Sequence, residues 1–87
     1  MNIQEQKLLT LTSDVKFAKM RLDPAKHQPL IDILIDVIDA LETNNTNLDS
    51  VINNSISQIE KCILDNNLIV PSEISELIKS FSVFLPN

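Results

Sequence analysis

The sequence predicts an all-α protein, a single antiparallel four-helix bundle. Three observations carry that prediction. Apolar residues recur at alternating three- and four-residue spacings in four successive segments. Short polar or proline-bearing stretches separate the segments, which makes successive helices antiparallel neighbours. The chain has 87 residues, 44% apolar and 22% charged, the size and balance of one small folded domain rather than of a disordered segment.

Helix 1 is expected over about residues 3–22, with Leu8, Leu11, Val15, Ala18 and Leu22 in one stripe at roughly 100° per residue. Asp23-Pro24 and Gln28-Pro29 then punctuate the chain, because Pro in a first helical turn gives up an amide hydrogen the helix does not need. Helix 2 begins between these prolines and runs from about residue 26 to 43. Its Asp32, Asp36 and Asp39 share one narrow polar strip, while Leu30, Ile31, Ile33, Leu34, Ile35, Val37, Ile38, Ala40 and Leu41 spread over roughly 220° of the wheel. A helix that apolar must touch two or more neighbours, and it is expected to be the element on which every other helix packs.

The polar linker from Thr43 to Asn47 is followed by Thr46 to Asp49, which reads as a helix N-cap with an acid three residues on. Helix 3 is expected over about 47–66, with Leu48, Val51, Ile52, Ile56, Ile59, Cys62 and Ile63 on one face, and Asn66-Asn67 as a left-handed stop. Val70-Pro71 opens helix 4, over about 71–85, where Ile74, Leu77, Ile78, Phe81, Phe84 and Leu85 repeat the pattern and Pro86 ends it.

Composition narrows the function. The chain has no Gly, Trp or Tyr, and phosphate-cradling loops need Gly for tight turns and close backbone approach. Cys62 and His27 supply two of the four ligands a structural zinc site needs, so no metal and no cofactor is expected. A Cys-His catalytic group would have to join residues far apart in the chain, so no enzyme activity is expected. The first seven residues lack a basic segment followed by an apolar one, and no apolar run approaches the roughly 20 residues that cross a bilayer. With one unpaired cysteine, that points to a cytoplasmic protein without a transmembrane segment.

Charge is unevenly placed. Residues 1–28 hold Lys7, Lys16, Lys19, Arg21 and Lys26 against Glu5, Asp14 and Asp23, while Lys61 and Lys79 face nine acids in the remainder, for a net charge of -5. An acidic body without an aromatic stacking platform disfavours nucleic acid as a partner. The strip Asp32, Asp36, Asp39 reads as a solvated face, since one helical strip does not wrap a hard cation. Its acids are also placed to pair with Lys16 or Lys19. Cys62 reads as a small core residue and His27 as an exposed turn residue.

Helix 1 carries a second apolar group, Leu9, Phe17 and Met20, off the main stripe and flanked by Lys16 and Arg21. Either helix 2 or helix 4 covers it, or it is a surface for a protein partner or a second copy. Leu64 and Val83 are isolated off-face residues.

In order and spacing, the proline-punctuated turn from Leu22 to Leu30, the Ile/Leu-rich second helix, the Asn-rich linker, and the stretch from Asp65 through Pro71 to Phe81 resemble the immunity proteins of pediocin-like (class IIa) bacteriocins. The similarity spans roughly residues 5 to 84. It implies a small cytosolic four-helix bundle that protects a cell by binding, without catalysis, at the cytoplasmic side of a bacteriocin-bound membrane sugar transporter. Recognition in that family lies toward a C-terminal tail beyond helix 4, from which this sequence departs by stopping at Asn87. The comparable surface here is Ser80, Val83, Phe84 and Asn87. The rival expectation is a helical adaptor or secretion-type chaperone that holds a partner helix on Leu9, Phe17 and Met20. Composition leaves monomer and homodimer both open.

Overall fold

The computed structural model describes residues 3–43 and 47–85. It is a four-helix bundle in the order α1 (Ile3–Arg21), α2 (Pro24–Thr43), α3 (Leu48–Asp65) and α4 (Ser72–Phe84), and no strand occurs among the described residues. The expected boundaries fall within two residues of those observed, the largest offset being at the start of α2. The bundle measures 38 × 24 × 20 Å.

The corner between α1 and α2 shows why two prolines stand so close together. Asp23 caps a short first turn: its Oδ1 accepts from the Ala25 N–H at 2.9 Å, and its carbonyl accepts from the Lys26 and His27 N–H groups at 3.0 and 2.8 Å. The helix then breaks at His27 (φ -128, ψ 27) and restarts before Pro29, whose missing N–H costs nothing at the head of a new helical run. The kink lets the body of α2 fold back antiparallel to α1, so that Ile35 and Ile38 line one groove with Met20 and Lys16.

α3 starts one residue later than its sequence cap suggested. The N-cap is Asn47, whose Oδ1 accepts from the Asp49 and Ser50 N–H groups at 2.9 and 3.4 Å; Thr46 lies outside the described residues. At the other end the Asn66-Asn67 stop takes the expected form. Asn67 has φ 52, and Leu68 N–H reaches the Ile63 carbonyl at 3.0 Å while Asn67 N–H reaches that of Leu64 at 3.3 Å. This pair of reversed bonds is the Schellman motif, and Leu68 and Ile63 both pack on the core, as the hydrophobic partners of that motif do.

The core joins all four helices. Leu11 and Val15 of α1, Leu30 and Leu34 of α2, Ile59 of α3 and Ile74 of α4 are fully buried, with Phe81 beside them. Ser55 is the one buried polar side chain among the described residues, and its hydroxyl donates to the Val51 carbonyl at 2.7 Å.

One expectation is corrected. α2 is not a hub for the other three helices. The elements close a ring in which α1 packs on α2 and α4, α2 on α3, and α4 more sparingly on α3. Two neighbours cover less of α2 than its apolar arc supplies. Ile35 is consequently 46% exposed, while Ile33, Ile38 and Ala40 pack on the core only in part.

Candidate functional site

The apolar group on α1 stays uncovered. Leu9, Phe17 and Met20 are 56%, 59% and 79% exposed, so neither α2 nor α4 closes over them. The reason is angular. Leu11, Val15, Ala18 and Leu22 take the face toward both neighbours, and Leu9, Phe17 and Met20, roughly 130–170° around the wheel from that stripe, point outward.

The structure separates the candidate residues into three places. Phe17 lines a shallow groove between α1 and α4 with Asp14, Arg21, Glu73, Glu76 and Ser80, so Ser80 belongs with the α1 group rather than with the end of α4. Arg21 sets the edge of this groove. Its guanidinium lies 5.4 Å from the centroid of the Phe17 ring and 3.5 Å from Glu76 Oε2. Beneath it the Ser72 hydroxyl donates to Glu73 Oε1 at 2.8 Å, and that hydrogen bond, chiefly, holds the Glu73 carboxyl below the usual carboxylate range.

Met20 lines a different groove, between α1 and α2, with Lys16, Lys19, Ile35 and Ile38. Lys16 does not pair with the aspartate strip of α2. Its Nζ lies 3.3 Å from Glu42 Oε2, with both side chains about half exposed, a pair worth at most about 1 kcal/mol.

At the far end of α4, Val83 and Phe84 share a depression with Leu85, Lys7 and Asn47 to Asp49. Val83 is 79% exposed, whereas Phe84 leans on the core. Asn87 lies outside the described residues. Ile35 and Ile69, 46% and 88% exposed, are surface features that sequence reasoning missed. Ile35 belongs to the wide apolar arc of α2, whose pattern does not distinguish it from its buried neighbours, and Ile69 stands in a connection where periodicity carries no signal.

Cys62 is buried, with the Asn66 side-chain amide donating to its carbonyl at 2.9 Å and reaching its Sγ at 3.6 Å. Burial pushes the thiol pKa up, partly offset by the Asn66 hydrogen bond, and the Asp65 and Asp32 charges add to the rise. This is the opposite of the electropositive setting that makes a thiol reactive. His27 is half-buried rather than exposed, because the kink turns it inward, and its Nδ1 is shut off from water without a hydrogen-bond partner.

No group of three or more His, Cys, Asp or Glu residues converges as a metal site among the described residues, and no helix is long and apolar enough to cross a membrane. The arrangement offers exposed apolar side chains framed by charges. Comparison with protein-family models, with curated proteins and with solved structures finds no match for this chain.

Proposed function

We propose that this chain is a non-enzymatic binding protein of the immunity type, which protects a cell from a narrow set of pediocin-like bacteriocins by engaging a bacteriocin-bound sugar transporter from the cytoplasmic side. The observation that supports the reading most is the bundle itself, with its four helices in order, its proline-punctuated first corner and its Asn-stopped third helix, the features on which the resemblance to those immunity proteins rests. Val83 then supplies an exposed apolar contact at the end of α4, beside the depression lined by Lys7 and Asp49.

The test is expression of the chain inside a bacteriocin-sensitive host challenged with a panel of class IIa bacteriocins. Protection against a few members and not the rest is expected, since a binding surface discriminates by differences in contact energy. Replacing Val83 and Asn87 together is expected to change the protected subset while the melting curve stays in place. Failure to protect against any member of a broad panel sinks the immunity reading.

A specific observation favours a second reading. Phe17 and Met20, at 59% and 79% exposure, are large anchors of the kind that seat a partner helix. An adaptor or chaperone of that type would lose its partner on Phe17→Asp while keeping its helical signal.

A further inference from the structure

We propose that the face formed by α1 and α2 is the interface of a homodimer whose two-fold axis runs parallel to the helices, so that α1 of each copy lies over α2 of the other. The argument begins with the groove between these helices. Met20, 79% exposed, and Ile35, 46% exposed, line its two sides, with Ile38 beside Ile35 on the α2 side.

The charges flanking this seam are sorted by helix. Lys16 and Lys19 line the groove on the α1 side. On the α2 side Asp39 follows Ile35 by one helical turn and Glu42 reaches Lys16, while Asp32 lines the groove between α2 and α3. Lys16 and Glu42 share one weak exposed bridge. Among the described residues Lys19 and Asp39 have no ion pair within the bundle. A basic half and an acidic half separated by an apolar seam is self-complementary under one operation. A two-fold axis along the helices sets the lysines of each copy against the acids of the other and lays Met20 over Ile35 of the second copy. A two-fold axis across the helices instead stacks α1 on α1 and α2 on α2, lysine against lysine and acid against acid, which electrostatics disfavours. Both expected pairings occur twice in the first arrangement, as an isologous interface demands.

Size fits a reversible dimer. Two helices of about 20 residues, side by side, present a face of about 30 by 20 Å, or about 600 Å² per copy. The two copies together then bury about 1,200 Å², the lower edge of specific interfaces. Association is therefore expected in the micromolar range and concentration dependent. The interface also uses the part of the α2 apolar arc that the bundle leaves open.

The test is sedimentation equilibrium of the full chain from micromolar to millimolar concentration, read beside a melting curve. Wild type is expected to pass from monomer to dimer. The double variants Lys16→Glu/Lys19→Glu and Asp39→Lys/Glu42→Lys are each expected to weaken self-association by about tenfold or more, because each sets like charges across the seam. Mixed in equal amounts, the two are expected to form a one-to-one heterodimer, since both contacts are then restored. Met20→Asp, at an exposed position, is expected to remove the dimer without unfolding the chain and serves alone if a charge variant misfolds. A wild type that stays monomeric overturns the proposal. So do folded charge variants that dimerise as before, a mixture that fails to pair, or a dimer lost on Phe17→Asp and kept on Met20→Asp.

Discussion

The Arg21 guanidinium sits over the face of the Phe17 ring, 5.4 Å from its centroid, one turn along α1. Because the same guanidinium reaches Glu76 on α4, a cation bridges an exposed aromatic ring and the neighbouring helix. Phe17 thereby lies against a cation that also touches α4, without being covered.

That arrangement predicts small energetic effects. Arg21→Ala is expected to cost less than about 1 kcal/mol, since both contacts are solvent-exposed. Phe17→Asp is expected to leave the helical circular dichroism intact, because the ring is already 59% exposed. A cooperative loss of helix in the Phe17 variant would show that the ring is part of the core.

Two neighbours on α2 should separate sharply. Leu34 is fully buried and Ile35 is 46% exposed. Leu34→Ala is therefore expected to cost about 2–5 kcal/mol as a cavity-forming change, and Ile35→Ala well under half of that. Urea unfolding of the two variants measures both, and equal costs would contradict the ring arrangement that leaves Ile35 uncovered.

Cys62 predicts a pH dependence. Its folded pKa lies above the unfolded value, so the fold keeps the thiol protonated. The associated stability is fully present below the unfolded pKa and is lost as pH rises through the alkaline range toward the folded pKa. Melting temperature is expected to fall over that interval in wild type, and to fall less in Cys62→Ala. A thiol reagent at neutral pH is expected to label the native protein far more slowly than the urea-unfolded chain.

His27 predicts a gain. Its Nδ1 is buried without a partner, and an unsatisfied polar atom of this kind costs about 1–3 kcal/mol. His27→Leu is expected to raise stability by up to about that amount. A marked destabilisation would mean that the ring supports the corner through a polar contact.

Much of the fold was legible because helix periodicity and stop signals are local. The stripe Leu11, Val15, Ala18 and Leu22 is buried as its spacing requires, and Asn67 takes the left-handed conformation a stop needs. What depended on tertiary arrangement was not legible. Whether Phe17 is covered is decided by where α4 lies, and Ile35 looked as buried as Leu34 until the number of neighbours of α2 was known. The inward turn of His27 follows from a kink that prolines suggest but whose direction they leave open. The candidate set Ser80, Val83 and Phe84 was adjacent in sequence, yet one helical turn carries Ser80 to the α1 groove and Val83 to the end of the bundle.

The ring of four helices has unequal seams, and the join between α3 and α4 is the sparsest, with α4 the shortest helix at 13 residues. Native-state opening begins where the fewest contacts must be given up. Loosening that seam leaves the α1–α2 pair and the hold of α1 on α4 in place, so the molecule is expected to open as a hinged clasp whose catch lies between its last two helices. Amide protons of α4 should accordingly exchange with solvent sooner than those at the centres of α1 and α2, well before the chain as a whole unfolds.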